Sequence, residues 1–117
     1  MTPISEMTNE ELDRYIAELR GWKTVEVTSA FSLTAIKNVW IDPLGYAENL
    51  PHPTADPRYA MELLEDIAQD KRQLNPILEY FHGLEQWGVC AYMIDWIYRD
   101  NKFRAISDLY AHVKGEK

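Results

Sequence analysis

The side chains able to hold a metal, move a proton or attack an electrophile near neutral pH are three histidines, one cysteine, and scattered serines and carboxylates. His52, His82 and His112 stand about thirty residues apart. No H-E-x-x-H or similar pairing sets two imidazoles on one helix face around zinc. His52 lies between Pro51 and Pro53, with Asp42 and Asp56 close in sequence. Folded back, that segment would join two carboxylates and an imidazole as a divalent-cation site, or as a general base with its partner. The expected state of His52 is the plainer one, an exposed loop residue. His82 before Gly83 reads as a turn residue and His112 beside Val113 as a surface residue. Cys90 falls in the most apolar stretch, where desolvation raises a thiol pKa and suppresses the reactive thiolate. Being single, it excludes an intramolecular disulfide and a multi-cysteine zinc site. Ser29, Ser32 and Ser107 lack a glycine elbow, and the five glycines are scattered rather than gathered into a phosphate loop. No catalytic residue, metal or cofactor is assigned, and the chain is expected to act without chemistry of its own.

Binding is better provided for. Four tryptophans and seven tyrosines contribute to an aromatic content of 12%. In a domain of this size most of these rings are expected in the core, and an exposed cluster would instead be an interface, since Trp and Tyr dominate binding hot spots. Trp40 and Tyr46 flank the turn Asp42–Gly45, and together with Asp42 and His52 they are the expected contact surface. Twelve Lys+Arg against nineteen Asp+Glu leave a formal charge of −7. That charge repels phosphate backbones, and Lys71-Arg72, the longest basic run, is too short for a nucleic-acid patch. The carboxylates Glu62, Glu65, Asp66 and Asp70 form a stripe that would complement a basic protein, presenting acids where that protein expects phosphates. A small nucleotide is the alternative partner. Its base would stack on Trp or Tyr and its phosphates would need Lys37, Arg58 or Arg72.

The elements that must position these residues are legible from punctuation and period. Thr8 with Glu11 three residues on is a capping box. Leu12, Tyr15, Ile16 and Leu19 then share a helical face, and Gly21 stops the helix. Trp22–Val27 and Ala35–Ile41 read as two strands, joined across the Ser/Thr-rich 28–34. Residues 42–57 hold four of the six prolines and must be an irregular loop. Asp56-Pro57 opens a second helix whose apolar stripe is Ala60, Met61, Leu64, Ile67 and Ala68. From Ile77 to Tyr98 a helical and an alternating pattern both fit. The glycines and the aromatic and β-branched content favour strands with two apolar faces, as a sheet covered on both sides demands. A third helix follows over 102–114, with Phe103, Ile106, Leu109, Tyr110 and Val113 inward.

The 117 residues thus make one α+β domain, 1–117. It is a small antiparallel sheet with about three helices packed on it, α/β/α sandwich-like, with residues 1–7 expected to be flexible. No apolar run is long enough to span a membrane, and MTPISEMTNEE has no leader pattern, so an intracellular protein is expected. The exposed edges of a short sheet favour a homodimer.

Several pieces together resemble the phage ABA-sandwich domain family: a first helix closing in Gly21-Trp22, then Trp40-Ile41-Asp42-Pro43-x-Gly45, then Leu50-Pro51-x-Pro53-Thr54-x-Asp56 leading into a helix, and a closing helix FRAISDLYAHV. The pattern departs between Gln73 and Asn101. The resemblance implies helices flanking a central sheet and no catalytic residues. It also implies a phage-encoded accessory protein in the cytoplasm of an infected bacterium. The partner it suggests is a bacterial host protein, with antagonism of a host defence system as the activity; a virion role and a metal-assisted hydrolase using Asp42, His52 and Asp56 are the alternatives.

Overall fold

The computed structural model describes residues 2–28 and 36–115, with backbone alone for 26–28 and 36–38. The first helix, α1 (Asn9–Leu19), begins at the expected capping box. Thr8 Oγ1 accepts from Glu11 N at 3.1 Å and Glu11 Oε1 from Thr8 N at 3.3 Å. It ends where the amides of Gly21 and Trp22 donate back to Glu18 O and Ala17 O. That closure needs the left-handed φ of +94° at Gly21.

Strands β1 (Lys23–Thr28) and β2 (Ile36–Ile41) pair antiparallel, Val25 opposite Val39 and Lys23 opposite Ile41. The expected connection, 28–34, lies outside the described residues beyond Thr28. No other element packs along this hairpin among the described residues, and it lengthens the molecule to 56 × 31 × 27 Å. Helix α2 (Pro57–Ala68) starts as expected, Asp56 Oδ1 accepting from Arg58 N at 2.9 Å. Its buried stripe, however, is Ala60, Leu63 and Ile67; Met61 and Ala68 face outward and Leu64 is half-buried. The inward face is rotated because α2 packs chiefly on the third helix, so a narrow line of side chains suffices.

The ambiguous stretch is a three-stranded antiparallel meander, β3 (Ile77–Phe81), β4 (Gln86–Ala91) and β5 (Ile94–Arg99). Tyr92-Met93 make a tight turn, with Met93 at φ +68°, which breaks the run that alternation alone would continue. A bulge between Val89 and Ala91 re-aims β5, so that Ile94 shares the face of Ala91.

Helix α3 (Lys102–Gly115) is the centre of the molecule. One side lies on β4 and β5, the other receives α1 and α2, so it is buried almost all round, from Arg104 to Ala111. The core is Leu12, Ile16, Ala60, Leu63, Ile67, Val89, Ile106 and Leu109 with their neighbours. The α+β class stands, with the layers stacked sheet, α3, then α1 with α2. Every α-helix therefore lies on one side of the meander.

Residues 4–6, in the segment expected to be flexible, form a 3₁₀ turn. Arg99 donates to Ser5 O at 2.9 Å and Arg104 to Ile4 O at 3.1 Å, and Ile4 and Met7 pack on the core. Both arginines also hold Asp108, at 2.5 and 2.8 Å. One buried carboxylate therefore ties β5, α3 and the N-terminal turn together.

Candidate functional site

The proline-rich segment 42–57 is shaped from its ends inward. Asp42 Oδ1 accepts from Leu44 N at 3.0 Å and Tyr46 N at 2.8 Å, and Gly45 takes φ +96° to let the chain turn. The chain then returns beside β2: Ala47 bridges Ile41 and Glu48 N donates to Trp40 O at 3.1 Å. At the far end Ala55 N and Asp56 N both donate to His52 O.

The middle is clamped by a residue that sequence reasoning missed. Asp13 on α1 is buried, its side chain 3% exposed. Its carboxylate accepts from Thr54 N at 3.1 Å and Thr54 Oγ1 at 3.0 Å, and lies 3.1 Å from His52 Nδ1. A carboxylate only accepts, so Nδ1 carries the hydrogen. An aspartate orienting an imidazole in this way is also how hydrolases hold their base. Here the Thr54 hydroxyl donates to the same carboxylate, and the geometry fastens the loop rather than lining up a nucleophile. Pro51 and Pro53 consequently press into the seam lined by Ile16, Ala17, Trp22, Tyr59 and Leu63, leaving about 20 Å³.

The loop so held borders two adjoining hollows. One, of about 660 Å³, is lined by Val39, Trp40, Ala47, Glu48, Asn49, Leu50 and Tyr59. The next, of about 580 Å³, runs on past Asn49, Leu50 and Tyr59 to His52, Asp56 and Pro57. Together they form one open groove from the root of the hairpin to the start of α2. Its walls are aromatic and aliphatic, its charges acidic. Tyr46 stands beyond the turn, 66% exposed, whereas Trp40 is half-buried.

Glu48 is the electrostatically unusual group. Its hydrogen bond with Asp42, then partial desolvation and the Asp42 charge, raise its pKa above the ordinary 4.5. A raised carboxyl pKa means that the fold binds that proton more tightly than the unfolded chain does. Stability therefore falls as pH rises from below 4.5 through the raised value. Glu48→Gln is expected to raise the melting temperature at pH 7, and the difference should close on acidification below 4.5. Thermal melts across pH check this, and a gap independent of pH would contradict the assignment.

The expected site residues thus separate. Asp42, His52 and Asp56 do not converge: Asp42 holds its own turn, Asp56 caps α2 and His52 turns to Asp13. Among the described residues no group of three His, Cys, Asp or Glu side chains could hold a metal ion. The four-acid stripe divides as well. Glu62 and Glu65 are exposed. Asp66 accepts from Tyr110 Oη at 2.8 Å, and burial together with that contact pushes the phenol up to about 12. Asp70 binds Arg72 at 3.0 Å and Lys114 at 2.8 Å, which holds its carboxyl well below the usual range. Asp66 also lies 3.7 Å from Arg20 and 3.8 Å from Lys114, so two of the four acids are tied to bases of the same chain. Of the phosphate-binding candidates, Arg72 is committed to Asp70 and Arg58 lies over the Tyr59 ring at 5.4 Å. Cys90 is half-buried on the meander, its thiol pushed up by burial and then by Glu79, in keeping with an unreactive thiol.

Among the described residues no helix is long and apolar enough to cross a membrane. No family model, no curated protein and no solved structure matches this chain.

Proposed function

We propose that the protein works by binding, and that the groove of Trp40, Leu50 and Tyr59 takes a basic segment of a partner protein. The observation that carries this is the coincidence of aromatic walls and acidic rim. Trp40 and Tyr59 offer apolar anchors, while Glu48 and Asp56 offer carboxylates for Lys or Arg. The chain's charge of −7 would speed that encounter. A nucleotide is less well served, since among the described residues the groove lining contains no Lys or Arg, the side chain of the candidate Lys37 lying outside them. The resemblance to phage ABA-sandwich proteins supports a bacterial host protein as the partner, with interference in an antiviral defence as the outcome.

The test uses the wild type and a Trp40→Ala/Tyr59→Ala variant as parallel baits in bacterial lysate, with circular dichroism confirming that both are folded. The wild type is expected to retain a basic protein that the variant retains at least tenfold less, and high salt should release it. Equal retention by the two baits, or retention indifferent to salt, refutes the groove as the binding surface.

A further inference from the structure

We propose that the face of the β3–β4–β5 meander turned away from α3 is the contact surface of a homodimer, covered by a second copy of this chain. The inference does not depend on what the groove binds.

Strand register decides which residues lie there. Leu78, Val89 and Ile97 are mutually opposite and pack on the core, so their neighbours point the other way: Ile77, Glu79, Phe81, Gly88, Cys90, Trp96 and Tyr98. Among these, three rings form one unit. Phe81 stands edge-on to Trp96 (5.0 Å, 79°) and to Tyr98 (5.4 Å, 84°), while Trp96 and Tyr98 lie within 18° of parallel. The unit exists because residue 88 is glycine. A Cβ there would sit 2.5 Å from a Phe81 ring carbon, so the bare backbone lets the rings reach across β4. Trp96 and Tyr98 remain 37% and 38% exposed. Rings fixed in this way lose little further freedom on docking.

The apolar surface continues at both ends of the meander, through Leu84 in one turn and Tyr92 and Met93 in the other. Of the eleven large apolar side chains exposed among the described residues, six lie on this face or in its two turns. Both faces of the meander are apolar, and the chain covers only one of them with a helix.

Charge selects the occupant. Two molecules of −7 repel each other except where charge is sparse. This face carries Glu79 on its edge strand β3, with Glu85, Asp95 and Asp100 exposed at its margins. Depletion of charge with enrichment in Trp, Tyr, Phe and Met is the composition of an interface core. A basic partner finds little here to recognise. A phosphate finds no base, because Arg99 turns beneath the sheet to Asp108 and the Lys102 ammonium lies 5.2 Å over the ring of Trp87, on the α3 side.

Area sets the strength. A stable complex covers roughly 800 Å² per partner, about a tenth of the 8082 Å² here. Three short strands about 4.8 Å apart and under 20 Å long supply roughly 300 Å² in plan, and the two turns add to it. The dimer is therefore a dissociating one.

Sedimentation equilibrium on the full chain, from roughly 5 µM to 1 mM, tests this. The mass is expected to climb from 13.7 kDa toward twice that value. Added salt should strengthen association by screening like charges, the opposite of its effect on groove binding. Trp96→Glu should weaken dimerisation at least tenfold, and so should Met93→Glu, at an exposed turn outside the core. Trp40→Ala/Tyr59→Ala should leave it unchanged. A mass that stays at 13.7 kDa throughout overturns the proposal, and so does association indifferent to both Trp96→Glu and Met93→Glu.

Discussion

Asp108→Ala is expected to cost about 3–5 kcal/mol, a large part of the roughly 5–15 kcal/mol that holds a domain of this size. The carboxylate is 1% exposed and lies between two guanidiniums, Arg99 on β5 and Arg104 one helical turn away. Those guanidiniums also donate to Ser5 O, Ile4 O and the Asn9 side chain. Removing the anion leaves two cations facing each other, Arg104 10% and Arg99 28% exposed, and the N-terminal turn loses the carboxylate that positions the groups holding it. The large term is the stranded charge rather than the net worth of the triad, and the two can be separated. Replacing Asp108, Arg99 and Arg104 together by apolar residues of similar volume should cost far less than Asp108→Ala alone. Urea unfolding of the single and triple variants measures both quantities. A loss below about 1 kcal/mol for Asp108→Ala would show that water reaches the site and the triad does not organise the fold.

What could be read in advance, and what could not, divides along sequence separation. The capping box of α1, the Gly21 stop, the Asp56-Pro57 start and the inward face of α3 are local chemistry, and each is in place. The meander was ambiguous because aromatic residues satisfy both periods. The Tyr92-Met93 turn, which decides the matter, carries no glycine, proline or asparagine to announce it. Leu63 was overlooked in favour of Met61 because helix period gives spacing but not which neighbour the helix meets. The polar framework was invisible for another reason. Asp13 meets Thr54 across 41 residues and Arg104 meets Ile4 across 100, and periodicity registers apolar positions only. The one signal pointing toward both was negative: Asp13 and Asp108 each fall among inward-facing residues of an amphipathic helix, where an unpaired carboxylate would be costly. His52 is the exposed loop residue the sequence leads one to expect, and the carboxylate it meets is Asp13 rather than Asp42 or Asp56. The sequence points to the loop that borders the groove, while Tyr59 and Leu50, which line it as well, carry no signal of their own because both resemble ordinary core residues.

That clamp yields the second large effect, which reaches function through the loop. Asp13→Ala removes the acceptor for Thr54 N–H and for the Thr54 hydroxyl, on a residue that is 2% exposed. Buried donors left unpaired cost about 1–3 kcal/mol each, so a loss of about 3 kcal/mol is expected in unfolding experiments. His52→Ala should cost under about 1 kcal/mol, because its imidazole is 58% exposed and water replaces it. The two variants should also differ in where they act. In Asp13→Ala the Thr54 amide should exchange with solvent far faster while the α3 amides keep their protection, since the loop opens without the core. Pro51 and Pro53 would then leave the α1–α2 seam, Tyr59 would lose its opposing wall, and partner retention should fall at least tenfold as in Trp40→Ala/Tyr59→Ala. Asp13→Asn separates shape from charge: its one carbonyl oxygen still accepts from Thr54 N, so loop protection should be partly restored. If Asp13→Ala left the Thr54 amide as protected as in the wild type, the loop would owe its shape to its prolines and local turns, and the groove would be independent of the buried carboxylate beneath it.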